Sequence, residues 1–209
     1  GQYQPVRQGG HLRRLLGYSG IAQMGYIFMG LAACNNAHPQ QALSAVIFYT
    51  CVYGISNLGA WAVLAVLARN QERFDLDSLR GLHQRHPALA ACLALCLMSL
   101  AGVPPLSGFM GKFYMFRAIY ETRLQFLVVM GILNSVISLF YYFKVLKAAY
   151  FVEAEDGGTE FLQTPAAPSL PMTQQLAFQV CLWSNVVLGL WPAVILEVER
   201  VAGSISQGN

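Results

Sequence analysis

Five stretches of this chain, Leu15–Ala37, Pro39–Ala68, Pro87–Gly111, Leu124–Phe143 and Phe161–Leu196, contain no Asp, Glu, Lys or Arg. Each supplies the roughly 20 residues that a helix needs to cross the hydrocarbon core of a bilayer. In lipid a spanning backbone must satisfy its own hydrogen bonds, and a helix does so within one segment. The expected fold is an all-α membrane protein with five transmembrane helices, over 15–34, 42–68, 87–121, 124–151 and 174–200. A basic approach (1–14) precedes them, an acidic and then Pro-rich loop (152–173) separates the last two, and a tail (201–209) follows.

Only 11% of residues are charged and the mean hydropathy is +0.46, against about 25% charged in soluble domains. The net charge of +3 sits in loops and argues against a nucleic-acid partner, leaving lipids and other membrane helices. Cys34, Cys51, Cys92, Cys96 and Cys181 lie in or beside apolar runs and read as small packing residues rather than a metal or disulfide set. In the charged loop 69–86, Phe74, Leu76, Leu79 and Leu82 are spaced for an amphipathic turn along the membrane surface, and His83 and His86 read as solvated. The start, Gly1-Gln2-Tyr3, has no initiator Met and no signal-peptide pattern, so upstream residues or a removed presequence are expected.

The third run differs from the others. Gly102, Pro104, Pro105, Gly108 and Gly111 cluster inside it, and Lys112 follows directly. The two prolines lack the N–H that a helix interior requires and clash with the preceding turn. A helical piece over 87–101 rises about 22 Å and a second over 106–121 about 24 Å. Together they exceed one straight crossing, so a break at Gly102–Gly111 is expected. Open backbone in a membrane is tolerated only where protein or a watery cavity receives it, and an ionisable group beside it is the usual layout of an ion or proton site.

Polar seams line three other runs. Ser19, Gln23 and Tyr26 fall at helical spacing in the first, and Tyr49, Tyr53 and Ser56 or Asn57 in the second. Asn134, Ser138 and Tyr141 do so in the fourth, ahead of Lys144 and Lys147. Such seams serve helix–helix hydrogen bonds or line a hydrated interior. Lys147 is placed to snorkel, and Lys144, one turn deeper, is a candidate second proton-exchanging group. Nine basic residues (Arg7, Arg13, Arg14, Arg69, Arg73, Arg80, Arg85, Lys144, Lys147) fall on the N-terminal side and three (Arg117, Arg123, Arg200) on the other. The positive-inside bias then puts the N-terminus on the cytoplasmic or matrix side.

Four blocks, LRRLLGYSGIAQMGYIFMGL, FYTCVYGISNLGAWAV, LALCLMSLAGVPPLSGFMGKFYMF and LNSVISLFYYFKVLKAAY, run in the order found in a known family. Over residues 10–151 the chain resembles the C-terminal part of the antiporter-like subunit N of complex I, the proton-pumping NADH:quinone oxidoreductase (subunit 2 in mitochondria). A photosynthetic, ferredoxin-dependent relative has similar blocks. The resemblance implies a fourteen-helix fold of two inverted five-helix repeats, of which this chain would hold the last five helices. It also implies that Lys112 of the GKFY block is the protonatable residue of the second broken helix. Many relatives carry His where Gln23 stands. The first broken helix, its lysines and their glutamate are absent from this chain, which implies a partner chain carrying the missing N-terminal helices or an incomplete sequence.

The function so implied is a proton-translocating, non-redox membrane-arm subunit. Lys112 transfers the proton, Lys144 relays it, and Ser19, Gln23, Tyr53, Asn57, Asn134, Ser138 and Tyr141 form the polar interior. The chain itself would bind no cofactor: NADH, FMN, iron–sulfur clusters and quinone lie elsewhere in the complex, whose other membrane-arm subunits are its partners. Composition rich in Ala, Leu, Arg and Gly, with the truncated start, points to the mitochondrial inner membrane with the N-terminus in the matrix. A bacterial plasma membrane or a thylakoid is the alternative. Two other readings are a multisubunit Na⁺/H⁺ antiporter subunit and a structural membrane-arm piece without pumping.

Overall fold

The computed structural model describes residues 12–34, 39–68, 76–151, 172–191, 198 and 200. Arg7, Arg69, Arg73, Phe74, the loop 152–171 and the tail 201–209 lie outside the described residues. The α-helices are α1 (Leu12–Ala33), α2 (Pro39–Leu67), α3 (Leu82–Arg85), α4 (Pro87–Ala101), α5 (Ser107–Tyr120), α6 (Gln125–Tyr150) and α7 (Met172–Leu190), with a 3₁₀ turn at Leu76–Leu79. α1, α2 and α6 are each long and apolar enough to span a membrane, whereas α4 and the Gln175–Leu190 part of α7 are shorter apolar helices.

On α1 the buried residues Leu12, Leu16, Ser19, Gln23, Tyr26, Gly30 and Ala33 recur at three- and four-residue intervals, one face of a helix. The opposite face exposes Tyr18, Ile21 and Phe28, as α6 exposes Phe126, Ile137 and Phe140. An apolar outer surface suits lipid or neighbouring membrane helices. α2 is the central element and packs against α1, α4, α5 and α7. Two larger apolar clusters result, with a small third around Phe48 and Val52. One joins Leu16, Val63, Leu93, Leu97 and Val145; the other joins Val46, Tyr49, Met115, Ile119 and Val128.

Between α4 and α5 the chain turns through residues 102–106, and the turn has a specific start. Gly102 adopts a left-handed conformation (φ 85°, ψ 42°), which costs a residue with a Cβ roughly 1–2 kcal/mol. The Gly102 N–H reaches Ser99 O at 2.9 Å and the Val103 N–H reaches Met98 O at 3.0 Å, the paired bonds of a Schellman cap. This cap satisfies two of the last four carbonyls of α4 and leaves those of Leu100 and Ala101 without backbone donors. Pro104 and Pro105 are exposed, and α5 begins at Ser107.

Gly108 and Gly111, expected within the break, lie inside α5. Their role is close packing. A Cβ on Gly108 would run into the backbone carbonyl of Ser99, and one on Gly111 would come within 2.8 Å of Tyr49. Glycine signals either a bend or a close approach, and the sequence does not separate them.

The loop 76–86 packs inward. Leu79 and Leu82 are buried in the core with α4 and α6. The described part of the amphipathic surface turn is thus tucked into the bundle. His83, expected to be solvated, stacks on Tyr150 (5.6 Å, 15°) with Nδ1 3.2 Å from the Ala149 carbonyl. The last turn of α6 offers free carbonyls, and a ring nitrogen is a suitable partner for one. Burial, with Arg85 beside it, pushes the neighbouring His86 below the ordinary imidazole range.

Candidate functional site

Lys112, on the second turn of α5, is 4% exposed. Its ammonium donates to the Leu100 carbonyl (2.9 Å), the Ala101 carbonyl (3.2 Å) and Ser135 Oγ of α6 (3.2 Å). The three donors of a lysine are thereby matched to three neutral acceptors. Two of these are the carbonyls that the α4 cap leaves open, at the negative end of the helix dipole. Nζ also lies 4.9 Å from the centre of the Tyr26 ring, within range of a cation–π attraction.

Each of those carbonyls has a second donor. Gln23 Nε2 donates to Leu100 O at 3.0 Å, and Ser135 Oγ lies 3.3 Å from Ala101 O. Gln23, 1% exposed, also accepts a hydrogen bond from Tyr49 OH and lies 3.4 Å from Tyr142 OH, which pairs with Ser19. Tyr26 OH donates to the Gly131 carbonyl (3.0 Å) and accepts from Asn134 (3.2 Å). One buried polar group therefore ties α1, α2, α4, α5 and α6 together at the junction of the two apolar clusters.

A second polar group lies on the other side of the α4–α5 junction. Ser56 of α2 donates to Asn185 Oδ1 of α7 at 2.7 Å, and Ser107, at the start of α5, donates to the same oxygen at 3.0 Å. Ser99 Oγ sits between Ser56 (3.1 Å) and Ser107 (3.3 Å) and accepts from the Gly108 N–H (3.1 Å). Asn185 Nδ2 donates to Cys181 O at 2.8 Å.

Of the residues singled out from sequence, Lys112, Ser19, Gln23, Tyr26, Tyr49 and Asn134 fall in the first group, and Ser56 in the second. Ser138 is buried on the same helix and donates to the Ser135 carbonyl. Tyr53 is buried in the core between α1 and α2, Asn57 is half-buried, and Tyr141 packs beside the Tyr142 ring (4.6 Å). Lys144 is exposed on α6, and the structure does not bring it to Lys112. On α6 Ser135 bonds the lysine itself and Tyr142 bonds Ser19 and Gln23, each one position beyond Asn134 and Tyr141. Both sets make helical stripes about 100° apart, and spacing alone does not choose between them. Ser99, Ser107 and Asn185 were missed. Asn185 carried a usable signal, as an amide within an apolar run.

Leucine at Gln23 leaves the buried Tyr49 hydroxyl without its acceptor. The expected cost is about 1–3 kcal/mol, read as a thermal midpoint lower by roughly 2–4 °C per kcal/mol for a chain this size. An unchanged midpoint would show that Gln23 does not hold the group together.

Residues 8–138 match the family model described as NADH:quinone oxidoreductase/Mrp antiporter, TM. The chain belongs to this family. The curated relatives named next are subunit N proteins, and the chain is of that type. It is 40% identical over 190 residues to NADH-quinone oxidoreductase subunit N 2 of Acidobacterium capsulatum, covering 89% of this chain and 36% of the relative. It is 41% identical over 142 residues to subunit N of Pelagibacter ubique, covering 68% of this chain and 29% of the relative. The chain thus spans about two fifths or less of the length of these family members.

Respiratory complex I from Thermus thermophilus with bound aureothin contains a similar chain, with a TM-score of 0.61 and 25% identity, covering 87% of this family member and 44% of that chain. The Mrp complex from Dietzia sp. shares the fold, with a TM-score of 0.73 and 20% identity, covering 90% and 41% respectively. The family, its antiporter-like helical fold and the long apolar helices make this a multi-pass membrane protein. Among the described residues, no three His, Cys, Asp or Glu side chains group as metal ligands.

Proposed function

We propose that this chain is a proton-translocating part of the membrane arm of an NADH:quinone oxidoreductase, with Lys112 as the group that takes up and releases the proton. α1, α2, α6 and α7 are four of its five crossings. α4 and α5 form the fifth, a broken one: 15 and 14 residues rise about 22 and 21 Å, each short of the roughly 30 Å core. The positive-inside bias sets the N-terminal side facing the matrix or cytoplasm.

One observation carries the reading. A charged side chain is buried among neutral partners in a membrane segment, at carbonyls that already have other donors. An intramembrane ionisable group is costly and is functional by default, and Lys112 is not needed to close the end of α4. Its surroundings suit both protonation states. The ammonium has three acceptors. On losing a proton, the amine keeps two donors for the carbonyls and gains a lone pair, toward which the Ser135 hydroxyl can turn. The Leu100 and Ala101 carbonyls only accept hydrogen bonds, and of the three partners the Ser135 hydroxyl alone carries a proton of its own. Lys144, exposed on α6, is a relay only toward a neighbouring protein or the inner surface.

NADH, FMN, iron–sulfur clusters and quinone belong elsewhere in such a complex. The first broken helix and its lysines would come from further residues or a second polypeptide. The rival is an Mrp-type Na⁺/H⁺ antiporter subunit. The likeness to the Dietzia complex concerns the fold alone, whereas the curated relatives named above are subunit N proteins. Purification through a tag on this chain separates the two. The expected preparation oxidises NADH with a quinone acceptor; one that exchanges Na⁺ for H⁺ without NADH would contradict the proposal.

A further inference from the structure

We infer that α7 is a clamp on the broken helix, and that Asn185 is a positioning residue for Lys112 rather than a packing residue alone. The inference rests on the proton-transfer reading of Lys112.

Asn185 is 1% exposed, on a helix that also carries Gln175, Gln179 and Ser184. Its amide oxygen accepts from Ser56 and Ser107 together, which fills both lone pairs. The Ser99 hydroxyl is left to bond Ser56 or Ser107, and the Gly108 N–H bonds Ser99. Every group in the cluster is satisfied and none of them titrates, so the cluster is a fixed tie and not a proton path. Within it Ser99 of α4 meets Ser107 and Gly108 of α5 directly, and Asn185 holds Ser107 from α7 while sharing its oxygen with Ser56 of α2.

A second contact falls one turn further along α7. A Cβ on Gly189 would collide with the Pro105 carbonyl and come within 2.6–2.7 Å of Leu106 C and Ser107 N, so α7 lies directly against the link. The two halves held this way carry the two parts of the lysine site. Leu100 and Ala101 of α4 offer the carbonyls, and Lys112 of α5 offers the amine. If α4 and α5 shift against each other, the amine and its cradle separate.

The test uses the assembled complex in vesicles. In Asn185→Leu, NADH-driven pumping per assembled complex is expected to fall roughly 5-fold, within the range reported for residues that act through a neighbour. Leucine also strands two buried hydroxyls, which destabilises by itself. The triple variant Asn185→Leu, Ser56→Ala, Ser107→Ala removes those two and leaves the Ser99 hydroxyl to turn back to a carbonyl of its own helix. Its thermal stability is expected to return to the parent value while pumping stays low. Pumping that recovers with stability in the triple variant would overturn the clamp, because Asn185 would then matter only for packing. If Asn185→Leu does not assemble, the triple variant alone decides. Lys112→Ala is measured alongside. Full pumping there sinks the lysine reading itself, whereas lost pumping in Lys112→Ala with parent-level pumping in the triple variant sinks only the clamp.

Discussion

Alanine at Lys112 is expected to abolish proton movement through this chain without preventing its assembly. The two halves of that result have separate causes. Assembly survives because the open carbonyls of α4 keep a donor each, Gln23 for Leu100 and Ser135 for Ala101. Proton movement fails because Lys112 is the one basic side chain of the buried group: the remaining members are a glutamine, serines, tyrosines and an asparagine. A positioned proton-transfer group contributes about 10²–10⁴-fold, so a fall of roughly 100-fold is expected. Pumping by the assembled complex is followed with a pH-sensitive dye, and assembly on native gels. Pumping at the parent rate would remove Lys112 from the mechanism.

The second large effect belongs to Gly108. Alanine is normally the better helix former by about 1 kcal/mol. Here its Cβ would overlap the Ser99 carbonyl, a backbone atom that cannot step aside without moving α4. Overpacking of this kind costs about 1–3 kcal/mol or more, and it also strains the bond from the Gly108 N–H to Ser99. The expected outcome is a clear loss of assembled complex, read as protein yield and thermal midpoint. Gly17 and Gly25 on α1 are the controls. A Cβ there meets nothing within 4 Å, so alanine is expected to be neutral or slightly stabilising. Equal losses at all three positions would mean that α4 and α5 do not cross as described.

The helical character of the chain and the anomaly at its third apolar run were legible because both rest on local rules. Long runs without charge leave the backbone one option in lipid, and two adjacent prolines stop a helix wherever they stand. Lys112 was legible for the same reason, as a charge where charge is costly. What depended on partners was not legible. Gly108 and Gly111 read as part of the break, but they serve helix crossings made with Ser99 and Tyr49, distant or separate in the chain. Asn134 and Ser135 are neighbours in sequence, and only the rotation of α6 decides which one meets the lysine. Leu79 and Leu82 have the spacing of a surface turn, and the space between α4 and α6 buries them instead. Asn185 stood out only as an amide in an apolar run, and its partners on α2 and α5 are contacts that no periodicity announces.

Arginine at Lys112 separates a proton-exchanging lysine from a fixed cap most directly. Arginine keeps the positive charge and the N–H donors for the Leu100 and Ala101 carbonyls, but it does not give up its proton in a protein. In the assembled complex, NADH-driven pumping by Lys112→Arg is expected to be as impaired as that of Lys112→Ala. Pumping at the parent rate with arginine in place would contradict the proposal, because charge and capping without proton release would then be enough.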